Sequence, residues 1–105
     1  MSKHLSPLSV SDEHLRVAAG IMRALAHPLR MRIIGVIDSK ENACVTDIYE
    51  DLQIEQSVAS QHLRILRQAE LVQTQREGKF IFYSLNYDRL AKAQADAAIY
   101  SEFVK

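Results

Sequence analysis

Apolar residues recur every three to four positions through most of this chain and at every second position in one stretch. Ser11 followed by Asp12 and Glu13 reads as a capped helix start, since acids in a first turn complement the helix dipole. Leu15, Ala18, Met22 and Leu25 form one stripe and carry the helix to about Ala26, with Val17 and Ile21 widening its apolar side. His27-Pro28 interrupts it, because the residue before proline avoids helical dihedrals and proline suits a first turn. A second helix follows to about Asp38, apolar at Leu29, Ile33, Val36 and Ile37 and basic at Arg30 and Arg32. After a polar loop, Ala43 to Val45 reads as a short extended piece, and Thr46-Asp47 as the cap of a third helix bearing Ile48, Tyr49 and Leu52.

A short turn, Gln53 to Glu55, leads to Gln56–Arg67, the stretch that organises the rest. Ala59, Leu63 and Leu66 share one helical face, and Ser57, Ser60, Gln61 and Arg64 share the other. The wet face holds no acid after Glu55; its side chains can reach base edges and phosphates without repelling either. After Ala69 the period falls to two. Leu71 to Arg76 and Lys79 to Leu85 flank Glu77-Gly78, which predicts a β-hairpin with Arg76 and Lys79 at its tip. A last helix runs from near Asn86 to Phe103, with Leu90, Ala93, Ala97, Tyr100 and Val104 as a seam of mostly small side chains.

Composition narrows the class. A chain of 105 residues fits one small domain, and part of its apolar surface is expected to need a second subunit. Residues 1–10, with Pro7 and three serines, show no period and are expected to form an arm ahead of the domain at 11–105. No apolar run is long enough to span a membrane and no signal-peptide core is present, so a cytoplasmic protein is expected. Cys44 is the only cysteine, which excludes an intrachain disulfide. The net charge of zero conceals segregation: residues 41–52 hold four acids and no base, while residues 1–40 carry an excess of Lys and Arg.

Helix, helix, helix, polar-faced helix, hairpin, helix is a mainly α (α+β) order, in which the third and fourth helices make a helix-turn-helix and the hairpin a wing. ALAHPLRMRII, QSVASQHLRILRQAELV and REGKFIFYSL occur in that order, and the chain resembles the ArsR/SmtB family of winged-helix transcriptional regulators over about Leu15 to Tyr100. The resemblance implies a homodimeric repressor of a palindromic double-stranded DNA operator. Its contacts would come from Gln56, Ser57, Ser60, Gln61, His62 and Arg64 on the fourth helix, with Arg76 and Lys79 on the wing. For His62, packing or backbone contact competes with base reading. The dimer would be held by Leu15, Met22, Leu90, Ala93, Ala97, Tyr100 and Val104. Two positions depart from the family pattern. Glu55 replaces the usual Ser or Thr cap, and Glu70 stands where a glycine usually closes the fourth helix, so strain or a different helix end is expected there.

Family effectors are often metals, yet the residues match neither usual site. Cys44-Val45-Thr46 lacks the second thiolate of the third-helix motif. Asp88 and Glu102 remain on the last helix, but no histidine lies beyond His62. His4 and His14 joined by Cys44 of the partner subunit would make a poorer set than zinc generally needs. No metal and no cofactor is therefore expected, nor an enzyme, since phosphate loops, paired carboxylates and Cys/His pairs are missing. The competing reading is a winged-helix protein-interaction module with little DNA affinity, favoured by the zero net charge and Glu55.

Overall fold

The computed structural model describes residues 12–104, with side chains from residue 12 to residue 95. Five helices and three short strands follow one another as α1 (Asp12–Leu25), α2 (Pro28–Lys40), β1 (Ala43–Cys44), α3 (Val45–Leu52), α4 (Gln56–Gln68), β2 (Val72–Glu77), β3 (Phe80–Leu85) and α5 (Tyr87–Val104). This is the winged helix expected from the order of periods. The N-terminal arm lies outside the described residues.

The core is aliphatic. Ile33 and Ile37 of α2, Ile48 of α3, Leu63 and Leu66 of α4 and Leu71 are almost wholly buried. Each contributes about 1.5–3 kcal/mol by leaving water. The apolar positions read from α2, α3 and α4 are thus the ones that meet. β1 is more than an isolated extended piece. Ala43 and Cys44 pair with Tyr83 and Phe82, so the antiparallel sheet has the order β1-β3-β2 and ties the wing to the start of α3. In the hairpin, Glu77 pairs with Phe80. Gly78, at φ 64, occupies the first central position of the two-residue turn, where a hairpin turn of type II′ requires positive φ. Lys79 therefore lies inside the turn and not beside it.

Three boundaries differ from expectation for local reasons. α3 starts at Val45, with Cys44 as its cap in place of Thr46. The Asp47 carboxylate reaches back one turn and accepts from the Cys44 N–H at 3.2 Å and its thiol at 3.3 Å, which satisfies a donor that otherwise has no helical partner. On α1 the buried residues are Ala18, Ile21 and Ala24. Of the predicted stripe, Ala18 is buried and Leu25 packs on the core, but Leu15 remains 51% exposed, so the inward face is rotated toward Ile21 and Ala24. On α5, Ala93 is buried within its own chain and Leu90 packs partly against the same core. These two side chains close the protomer and are not a free seam. Ala97, Tyr100 and Val104 lie on α5, but their side chains fall outside those described.

Candidate nucleic-acid interface

The turn between α3 and α4 is built without glycine. Gln53 adopts the left-handed conformation at φ 55 and donates its N–H to Glu50 O at 3.2 Å, while Ile54 N–H reaches Tyr49 O at 3.0 Å. This pair of bonds closes α3 as a Schellman motif, and both Tyr49 and Ile54 pack on the core beneath it. The same device ends α4. Glu70, at φ 62, donates to Arg67 O at 2.9 Å, and Leu71 donates to Leu66 O at 2.9 Å over the buried Leu66–Leu71 contact. The strain expected from the missing glycine is therefore present and held in place. Asn86 Nδ2 donates to Glu70 O at 3.0 Å, and Asn86 Oδ1 caps α5 by accepting from Arg89 N at 3.1 Å.

Between these closures α4 buries Ala59, Leu63 and Leu66 and exposes Gln56, Ser57, Ser60, Gln61, Arg64 and Arg67. Glu55 is its cap residue, but its side chain makes no capping bond; its carbonyl accepts from Val58 N and Ala59 N, both at 3.1 Å. One expected contact residue points elsewhere. His62 is half-buried, and its Nδ1 accepts from Arg30 Nε on α2 at 3.2 Å. Its ring also lies 4.7 Å from that of His27, which caps α2 by accepting from Leu29 N at 3.3 Å. His62 thus fastens α4 to the body and is not on the exposed face. Burial, then the neighbouring His27 and Arg30, lowers its pKa below the usual 6.5, so the neutral ring that can accept this bond is favoured.

The wing stands beside α4. Arg76 and Lys79 are both exposed, although Arg76 Nε is engaged with Gly78 O at 3.1 Å and so braces the tip. Cys44, Thr46, Ser60, Lys79, Phe80 and Tyr83 line a cleft of about 300 Å³ between α3, α4 and the wing. Thr46 is exposed at the start of α3, and this cleft groups it with Ser60 and Lys79. By sequence Thr46 reads only as a cap, although a hydroxyl in the first turn of the first helix of a helix-turn-helix is a signal of a contact position.

A family model described as "Bacterial regulatory protein, arsR family" matches residues 27–74, which span α2 through the start of the wing. The HTH-type transcriptional repressor SmtB of Mycobacterium tuberculosis is 34% identical over 90% of this chain and 70% of its own length. This chain belongs to the ArsR/SmtB family of winged-helix transcriptional regulators. The biofilm growth-associated repressor of Agrobacterium fabrum, another relative, is 35% identical over 82% of this chain and 73% of its own. Among solved structures, NolR from Sinorhizobium fredii superposes with a TM-score of 0.67 at 33% identity, covering 94% of this chain and 97% of that one. Membership of the ArsR/SmtB family gives the exposed face of α4 its context as part of a DNA-binding repressor fold. Among the described residues no group of three or more His, Cys, Asp or Glu side chains is arranged to hold a metal ion. No helix there is long and apolar enough to cross a membrane.

Proposed function

We propose that this ArsR/SmtB-family regulator is a homodimeric, sequence-specific repressor that inserts α4 into the major groove of a palindromic operator and lays its wing along the flanking backbone. The observation that carries this reading is the outer face of α4. Gln56, Ser57, Ser60, Gln61 and Arg64 are exposed together, no acid interrupts them, and Ala59, Leu63 and Leu66 fix the opposite face in the core. In such a docking the N-terminal residues go deepest, so Gln56, Ser57 and Gln61 meet base edges. Arg64, Thr46, Arg76 and Lys79 meet phosphates, whose contacts position the protein without reading sequence.

Leu15, half-exposed on α1, is the apolar side chain that supports dimer formation through α1 and α5. A single thiol at Cys44, already donating to Asp47, argues against control by a thiolate metal site on α3. The deciding experiment is a salt titration of binding to the promoter DNA of the protein's own gene and to a scrambled duplex. Repression by DNA binding requires promoter preference and a steep loss of affinity with salt. Absence of duplex binding at low salt would favour the protein-interaction module instead.

A further inference from the structure

Away from the exposed face of α4, the C-terminal ends of α1 and α4 meet the start of α5 around a cleft of about 420 Å³. Its apolar lining is Val17, Ile21, Ala24, Ile65 and Ala69, of which Val17 is exposed and Ile21 and Ala24 are buried, and four arginines stand around it: Arg16 and Arg23 from α1, Arg30 from α2 and Arg89 from α5. Among the described residues no acidic side chain lines it.

Helix capping accounts for two of the four. Arg30 Nη1 donates to Ala24 O at 3.2 Å and lies 3.5 Å from Arg23 O, at the end of α1. Arg89 Nε donates to Ala69 O at 3.3 Å, at the end of α4. Cations suit helix C-termini, so these positions are explained locally. Capping leaves the other two unexplained. Arg16 pairs with Glu13, which is outside the cleft, and Arg23 has no side-chain partner among the described residues. Arg89's ion pair, with Glu70, is long at 3.8 Å.

A second observation concerns space. Gly20 sits in the middle of α1, where glycine costs about 1 kcal/mol relative to alanine. Among the described residues an added Cβ would meet only the far end of Arg23, at 3.8 Å. The glycine lines the cleft.

We infer that this cleft is a binding site for a small organic carboxylate with an apolar body. The carboxylate would pair with Arg23 and its neighbours, and the hydrocarbon would cover Val17 and Ile65 above the buried Ile21 and Ala24. Arginine forks match carboxylates bidentately, and a mostly apolar pocket with a few polar groups is the usual form of a small-molecule site. Arg30 also holds His62 of α4, so occupation would reach the DNA-facing helix. That extension rests on the DNA-binding reading above; the binding itself does not.

The test uses the full chain without DNA, so its failure is distinct from a failure of DNA binding. Hexanoate and benzoate are titrated against methyl-labelled protein, with hexanol as the uncharged control. The expected result is a saturable shift of the Ile21 and Ile65 methyl signals by the carboxylates and none by hexanol. Arg23→Ala is expected to weaken binding about tenfold, the loss of one charge-assisted hydrogen bond. Gly20→Leu is expected to abolish binding while circular dichroism and sedimentation remain those of the unaltered protein. Absence of saturable shifts with both carboxylates overturns the inference. So does dissociation of an oligomer by Gly20→Leu, which would mean that a second copy of the chain fills the cleft.

Discussion

Arg30 on α2 donates its Nε hydrogen to Nδ1 of His62 on α4 across 3.2 Å. The same guanidinium bonds to the carbonyl of Ala24 at the end of α1, so one side chain joins three helices. The bond to His62 exists only while Nδ1 carries no proton.

The pH consequence follows in sign. His62 has its pKa lowered in the fold, first by burial and then by His27 and Arg30, so the folded state binds fewer protons than the unfolded state just below pH 6.5. The stability due to this group is fully present above 6.5 and is lost as pH falls from there through the folded pKa. A histidine NMR titration is expected to place His62 below 6.5. In His62→Asn, whose amide oxygen can still accept from Arg30, the fall in melting temperature over that range is expected to be smaller than in the parent.

Glu70 holds a left-handed conformation that costs a residue with a Cβ about 1–2 kcal/mol. Glu70→Gly removes that strain and sacrifices only the long, exposed pair with Arg89. Glycine loses more chain entropy on folding, so the net gain expected in urea denaturation is about 0.5–1 kcal/mol. Glu70→Val is expected to destabilise. A loss of stability in Glu70→Gly would mean that the ion pair outweighs the backbone strain.

The DNA-facing residues are expected to separate into two classes. Gln61→Ala should lower the preference for operator over scrambled duplex by about 1–3 kcal/mol if its amide reads a base. Lys79→Ala should weaken both duplexes alike and reduce the salt slope by about one unit. Both variants are measured on both duplexes at several salt concentrations. An unchanged preference in Gln61→Ala together with Ser57→Ala would remove α4 as the reading element.

Glu55 makes no side-chain capping bond at the start of α4. Glu55→Ser adds one and is expected to stabilise the fold by about 1 kcal/mol. It also removes a negative charge near the proposed phosphate path, so duplex affinity should rise, most visibly at low salt. Thermal melts and binding isotherms read the two effects independently.

Leu15 is half-exposed on α1 and carries little of the protomer's own packing. Leu15→Glu is expected to leave the secondary structure intact and to shift sedimentation from dimer toward monomer, because an unpaired charge in a buried interface costs several kcal/mol. A dimer that persists unchanged would place the interface on another surface.

Much of this was legible without a structure because it depends on neighbours in the chain. Period alone separates Ala59, Leu63 and Leu66 from Ser57, Ser60, Gln61 and Arg64. The shift to period two and Gly78 locate the wing, and the three sequence blocks identify the family. The face that α1 buries is decided by its packing against α2 and α5: Ala18, Ile21 and Ala24 are buried and Leu15 stays outside. The role of His62 likewise depends on Arg30, distant in sequence and on another helix. The cleft draws its arginines from α1, α2 and α5, and no spacing rule connects them. Local periodicity determines which side chains share a face of one helix, whereas the rotation of each helix against its neighbours is set by the packing of the whole core.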